Sequence, residues 1–468
     1  MTTLRDAPGA PSSWPFAPIE ELDLYLENAQ EPSLVQLETH VPGHLDQAAL
    51  EAALAGVLAA DPATRRHLAT TSRWSRRLRW EAAAPAIRTG SGPAPSGEAG
   101  LLTVAGWRSP GQLAALRDQL SAWPISLSST AARLILAVGP EHDVVILQTH
   151  HAAFDGISGL ALLAAICAAY RDRAGPSIRP QSAFPSRPAP DPVHPPAPHR
   201  SRHEQAPAPR RDGRRPGLPP LPGLVTRIAA QAAQPDRPGY GFVLKSAPVP
   251  RSARSGRGPY PTVNDLLVTA MILTVDQWNA ARGRRGGTVR ISVPVNGRDP
   301  QRRWEGPGNL SRLIRVTARP GQRTDAAGLL AQVAAQTRAG KRQPRPGLDA
   351  VSRLLAAGWA PTAVKRHTAR LARRLAAPVC TDTSLVSNLG VLPEPPCFGG
   401  SGQDPLWFYG PAPMPRGLAV GAVTVAGRLH LCVTYRHALM DCGAAADFTA
   451  AYCRTLAGLA ALPGGRPP

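Results

Sequence analysis

The stretch "QTHHAAFDGISG", residues 148–159, decides how the rest of the chain is read. An apolar run, Val144 to Thr149, ends at two adjacent histidines, His150 and His151. Three small or apolar residues follow, then Asp155 and Gly156. The run has the character of a strand. Beyond it Leu160, Leu163, Ile166 and Cys167 share one helical face. His151 therefore stands at a strand-to-helix junction, where side chains are exposed at a sheet edge and sites are commonly built. Histidine both takes and gives a proton near neutrality. Asp155 either pairs with His151 or turns away to a cation and fixes the loop. Gly156 admits a backbone conformation closed to other residues. Adjacent strand residues point to opposite faces, so the two histidines chelate poorly together and no metal site is expected.

Working outward, "ARLILAVGPEHDVVILQTH" reads as two strands joined at Gly139-Pro140. Upstream, "EPSLVQLETHVPGHLDQAALEAALAGVLAAD" reads as a strand and a helix, with Asp46 as the cap and Asp61-Pro62 as the stop. Residues 1–13 read as a disordered tail and 86–100 as a loop. From 174 to 222 Pro, Arg, His and Ser dominate, which reads as an extended linker. It divides an N-terminal lobe, 14–173, from a C-terminal lobe, 223–463. In the second half "YGFVLKSAPV", "TVRISVPVN" and "SLVSNLGVL" read as strands. "PTVNDLLVTAMILTVDQWNAARG" reads as a helix capped by Thr262 and Asp265. Residues 347–376 read as a helix with a basic stretch at Lys365, Arg366, Arg370, Arg373 and Arg374. A hairpin turns near Ala426-Gly427, and a last helix runs from about Gly443 to Leu459. Strands and helices alternate in both halves, so the class is α/β or layered α+β.

The chain has 468 residues, is 43% hydrophobic and carries a formal charge of +21, enough for sizeable cores. No apolar run is long enough to span a membrane. The six cysteines are scattered, with no C-x-x-C pair, and the chain is read as reduced and cytoplasmic. Arginine supplies nearly all the positive charge, since only Lys245, Lys341 and Lys365 are lysines. With abundant alanine, proline and glycine this reads as codon bias of a GC-rich genome. The charge still favours anionic partners. No aromatic-rich basic strand or zinc spacing supports nucleic-acid binding.

His-His-x-x-x-Asp-Gly after an apolar strand resembles the active-site motif of the condensation-type acyltransferase superfamily. That superfamily includes chloramphenicol acetyltransferase, condensation domains of nonribosomal peptide synthetases and the wax ester synthase/diacylglycerol acyltransferases. "TVNDLLVTA" at 262–270, "ISVPVNGR" with Gly308-Asn309, and "SLVSNLGVLP" at 384–393 resemble further segments, in the family's order. Leu389-Gly390-Val391 stands where membrane-active wax ester synthases carry Pro-Gly-Pro, which leans towards a stand-alone condensation-type enzyme of secondary metabolism. The resemblance implies two chloramphenicol acetyltransferase-like lobes forming a V, with the active-site tunnel between them. "YRHALMD" at 435–441 echoes the motif: His437 and Asp441 repeat the spacing of His151 and Asp155.

By resemblance the chemistry is acyl transfer from a thioester to an alcohol or amine, with acyl-CoA or a phosphopantetheine thioester as co-substrate and no bound cofactor. His151 is the general base, taking the proton of the attacking O–H or N–H. The oxyanion needs donors, and Gly156 N–H, Ser387 and Asn388 are candidates. Asp155 holds the loop through an arginine, for which "ADPATRRHL" offers Arg65 or Arg66. His150 packs under the loop. Asn264 is a candidate for the tunnel lining, beside its simpler place at a helix cap. The expected partners are a small-molecule acyl donor and acceptor, or an acyl or peptidyl carrier protein, with the chain as a monomer. Three competing readings are a non-catalytic carrier-protein-binding module, a charge-driven nucleic-acid binder, and a peripheral lipid O-acyltransferase whose basic helix at 364–374 meets anionic membrane.

Overall fold

A computed structural model describes residues 13–72, 74–82, 89–91, 101–173, 225–250, 261–284, 286–298, 308–342, 354, 357–399 and 404–462. The expected linker and residues 1–12 of the expected tail lie outside these. Ser13 does not belong to a tail, because it opens a strand.

The elements follow in chain order. The first half holds β1 (Ser13–Pro15), α1 (Pro18–Leu26), β2 (Leu34–Pro42), α2 (Gln47–Ala60), β3 (Arg66–Leu68), β4 (Arg79–Ala82), β5 (Thr89–Ser91), β6 (Leu102–Gly106), α3 (Pro110–Ala122), β7 (Ala132–Val138), β8 (His142–His150) and α4 (Gly156–Arg173). The second half holds β9 (Tyr240–Pro248), α5 (Val263–Ala280), β10 (Val289–Asn296), β11 (Ser311–Ala318), α6 (Ala326–Arg342), α7 (Thr362–Cys380), β12 (Ser384–Val391), β13 (Leu406–Tyr409), β14 (Leu418–Val425), β15 (Arg428–Arg436) and α8 (Cys442–Ala460). The caps read from sequence are present. Asp46 Oδ1 accepts from Ala49 N–H at 2.9 Å. Thr262 and Asp265 form a reciprocal capping box on α5. The basic helix begins at Thr362, and the stretch expected to precede it falls mostly outside the described residues.

Two six-stranded mixed sheets carry the molecule, in the orders β13-β2-β8-β7-β6-β5 and β11-β10-β12-β14-β15-β9. Setting β2, β8, β7, β6 and β5 against β9, β15, β14, β12 and β10 gives the same sequence of pairings. The first junction of each is antiparallel. The next is also antiparallel. The last two are parallel. Each sheet buries one face under a pair of helices, and α3 covers part of the other face of the first. On the first, Leu147 and Val145 pack with Leu50 and Leu54 of α2 and Leu163 of α4. On the second, Ile291 and Val433 pack with Leu267 of α5 and Phe448 of α8. Alternation along β8 then turns Gln148 and His150 to the opposite face.

The halves are not separate in space. β13, from the second half, pairs with β2 and completes the first sheet. Phe408 and Leu389 join the first half's core. β13 passes directly over β14 at Gly421, where a Cβ would lie 1.9 Å from the Phe408 carbonyl oxygen. Only glycine lets the two backbones approach that closely.

Candidate active site

The turn after β8 is tightly specified. His150 N–H donates to Ala131 O and His151 N–H to Ser33 O, while Ala153 and Phe154 N–H return to His150 O. α4 then starts on Asp155, whose Oδ1 accepts from Ser158 N–H at 2.9 Å. That is the geometry of an N-cap.

The two histidines part company here. The His150 side chain is fully buried. Its Nδ1 accepts from Ala152 N–H at 3.1 Å, so Nε2 carries the proton donated to Glu27 Oε2 at 3.0 Å. Burial pushes the Glu27 carboxyl up, but the hydrogen bond from His150 and its charge outweigh this, and the net shift is downward. His151 is 26% exposed. Its Nδ1 faces Asp23 Oδ2 at 3.8 Å. Asn309 Nδ2 donates to Asp23 Oδ2 at 2.6 Å and lies 3.2 Å from His151 O and 3.3 Å from His151 Nδ1. Asn309 Oδ1 accepts from Ser311 N–H at 3.3 Å, which fixes the amide's orientation. Burial raises the Asp23 carboxyl above the ordinary range, opposed by the charges of His151 and His150 and by the Asn309 bond. Asp23 and Glu27 stand four residues apart on and at the end of α1. That spacing presents them from one helix face, one to each histidine.

Asp155 turns away from His151. Its Oδ2 accepts from Arg298 Nη1 at 2.7 Å, Leu310 N–H at 3.0 Å and Ser311 Oγ at 3.4 Å. Arg298 Nη2 and Ser158 Oγ both donate to Gly308 O at 3.0 Å. The cation is therefore Arg298, from the second half, and neither Arg65 nor Arg66. Arg66 is buried in the first half, with Nη1 3.7 Å from Glu20 and its guanidinium over Trp80 and Phe154. The likeness of "ADPATRRHL" to a family segment points to the wrong arginines. Arg298 lay in the quoted "PVNGR" segment, and only the β10–β11 connection brings it to the motif.

Gly156 also departs from the expectation. It is not among the positive-φ glycines. Its requirement is space: a Cβ would lie 2.6 Å from Phe408 Cε2 and 3.0 Å from Leu389 Cδ2. Gly156→Ala is expected to cost about 1–3 kcal/mol through overpacking of these buried side chains, read from denaturant unfolding. A midpoint equal to wild type would mean that Phe408 yields freely.

Ser387 and Asn388 are half-buried in β12, beside a register shift, and Asn388 Oδ1 accepts from Gly390 N–H at 2.9 Å. Asp265 serves the cap, with Oδ1 accepting from Thr337 Oγ1 at 2.6 Å. Asn264 stands outside that box, its Nδ2 buried without a hydrogen-bond partner among the described residues.

The echo at 435–441 has a structural counterpart. Arg436 O accepts from Leu439 and Met440 N–H, as His150 O does from Ala153 and Phe154. Asp441 Oδ1 accepts from Ala444 N–H at 2.8 Å and caps α8. His437 thus occupies the position of His151. It is buried, and its imidazole is pushed down to about 4 by desolvation and by Arg237 and Arg436. Among the described residues no carboxylate faces it in the way Asp23 faces His151.

No protein-family model matches the chain. An uncharacterized protein of Mycobacterium tuberculosis, Rv2305, is 28% identical over 413 residues, covering 84% of this chain and 88% of its own. Among solved structures, the starter condensation domain of rhizomide synthetase RzmA, a variant in complex with C8-CoA, aligns with a TM-score of 0.62 at 15% identity, over 97% of this chain and 96% of that one. The first condensation domain of the CDA synthetase aligns with a TM-score of 0.57 at 17% identity, over 97% and 98%. The epimerization domain from the third module of tyrocidine synthetase B reaches 0.53 at 14% identity, over 98% of each chain. The chain therefore has the condensation-domain fold.

Proposed function

We propose that this protein is a condensation-type acyltransferase, moving an acyl group from a thioester to an alcohol or amine, with His151 as general base. The observation that carries the reading is the contrast between the two histidines. His150 is sealed between Glu27 and Ala152, while His151 is reachable and backed by Asp23. Asn309 has two amide protons. Given to Asp23 and to the His151 carbonyl, they leave His151 Nδ1 to carry its own proton towards Asp23. Nε2 is then the free base. The separation of 3.8 Å is long for a hydrogen bond, and such contacts tighten when substrate binds.

In the proposed step Nε2 takes the proton of the acceptor's O–H or N–H as its heteroatom attacks the thioester carbonyl. A C–O or C–N bond forms, the tetrahedral intermediate collapses, and the C–S bond breaks. The imidazolium returns the proton to the leaving thiolate. Gly156 opens α4, and its N–H, with the positive end of that 18-residue helix, suits the oxyanion. Ser387 and the Asn388 amide are further donor candidates. The rhizomide synthetase domain's complex with C8-CoA supports trying acyl-CoA as donor. The test is an intact-mass screen of acyl-CoA and acyl-carrier thioesters with pooled alcohols and amines. Acyl product formed by wild type and not by His151→Ala supports the reading. Free thiol released without any acylated acceptor would make the protein a thioesterase and sink it.

Asp23→Asn gives a second expectation. A carboxyl raised on folding costs stability when ionised, and that cost vanishes as pH falls through the raised value. At neutral pH Asp23→Asn should therefore melt no lower than wild type. Turnover should fall about tenfold to a hundredfold, because Nδ1 loses its orienting acceptor. The acid limb that Asp23 contributes to the wild-type pH–rate profile should disappear. A variant with wild-type turnover and an unchanged profile would remove Asp23 from the site.

A further inference from the structure

Nine large apolar side chains stand out as exposed among the described residues, and five of them fall between 354 and 375. They are Leu354 at 62%, Trp359 at 52%, Val364 at 44%, Leu371 at 48% and Leu375 at 73%. Val364, Leu371 and Leu375 recur at helical spacing and form one stripe along α7. A sixth, Trp74 at 68%, belongs to the loop that α7 starts on. Thr362 N–H donates to Ser75 O at 2.7 Å, and Lys365 Nζ to Arg76 O at 2.6 Å.

The helix leaves its large apolar side chains outside and turns Lys365 and Arg373 towards the protein. Lys365 and Ala369 are buried, and Arg373 bonds Glu31 and the Leu26 carbonyl. Arg366, Arg370 and Arg374, at i, i+4 and i+8, make an exposed basic stripe beside the apolar one. Arg76 and Arg77 are exposed on the neighbouring loop, and Arg79 at the start of β4. Neither 71–79 nor 362–375 contains an acidic residue. A solvated helix face has no use for leucine and tryptophan. An apolar stripe with tryptophan and arginine alongside is what an interfacial helix presents to lipid. No helix among the described residues is long and apolar enough to cross a membrane.

The geometry points to this face as a docking surface for an anionic lipid bilayer, with Leu371, Leu375 and Trp359 entering the acyl boundary and the arginines meeting headgroup phosphates. This goes beyond acyl transfer and stands whether or not that reading holds. The surface suits a bilayer better than an acidic protein because the apolar part is a broad stripe and not a pocket.

The test is flotation of the full chain with phosphatidylcholine vesicles, with and without phosphatidylglycerol. Wild type should float only with the anionic vesicles. Leu371→Ser with Leu375→Ser should weaken binding roughly a hundredfold, about tenfold for each leucine. Arg366→Gln, Arg370→Gln and Arg374→Gln together should weaken it about as much, near fivefold for each arginine. These exposed substitutions should leave the melting temperature unchanged. Wild type that stays with neither vesicle overturns the inference. So does flotation that survives both variants, since the rest of the basic chain would then be the anchor. Loss with the arginine variant alone leaves electrostatic adsorption and overturns insertion of the stripe. Binding of an acidic carrier protein through these residues, with vesicles ignored, makes the face a protein dock and overturns it equally.

Discussion

His151→Ala is expected to lower acyl transfer about a hundredfold to ten-thousandfold, the range that a positioned general base contributes, and to melt with wild type. The side chain is partly exposed, so its removal leaves little cavity. The backbone contacts of residue 151, from its N–H to Ser33 O and from Asn309 to its carbonyl, do not need the ring. His150→Ala should behave in the opposite way. It would leave Glu27 Oε2 without its donor in a buried setting and cost about 1–3 kcal/mol of stability. The measurement is product formation by mass on one thioester and acceptor pair, set beside thermal unfolding of each variant. Unchanged turnover in His151→Ala would remove it as the base.

Asp155→Ala is expected to cost roughly 3–5 kcal/mol, the largest stability loss of any single change near the site. The Arg298 side chain is only 3% exposed and would lose the Asp155 carboxylate. The cap of α4 goes with it, for about 1 kcal/mol more. Activity should fall alongside, because Leu310 and Ser311 dock on the motif loop through the Asp155 carboxylate, and the neighbouring Asn309 orients His151. Denaturant midpoints at fixed slope decide it. Adding Arg298→Ala to Asp155→Ala should cost less than the two single losses summed, since the pair they share is already broken. A midpoint at wild type for Asp155→Ala alone would mean that the loop is held by other groups.

Local signals carried most of the architecture. The strand-to-helix junction at 148–159, the caps at Asp46 and Thr262, and the worn copy at 435–441 were legible because each depends on neighbours within a few residues. The candidate site is legible where its residues sit inside the motif, at His150, His151 and Asp155. It was not legible where partners arrive from far along the chain. Arg298 and Asn309 meet the loop at separations of about 150 residues, and no periodicity encodes that. Asp23 and Glu27 did leave a mark, two carboxylates four apart on a short amphipathic helix. A surface ion-pair face leaves the same mark, and only the fold tells the two apart. Gly156 shows the same limit: its glycine answers to Phe408, a residue some 250 positions away that no local turn rule contains.

The insertion of β13 into the first sheet makes the two halves interlocked and not merely adjacent. Neither half made alone has its full complement: the first lacks an edge strand and the Phe408 side chain of its core, and the second carries that strand with nothing to pair it. A chain cut between 174 and 224 should therefore stay together as a nicked whole. The two pieces, expressed apart, should recover their fold only when mixed. Any parting of the lobes to admit a bulky substrate has to bend around this clasp.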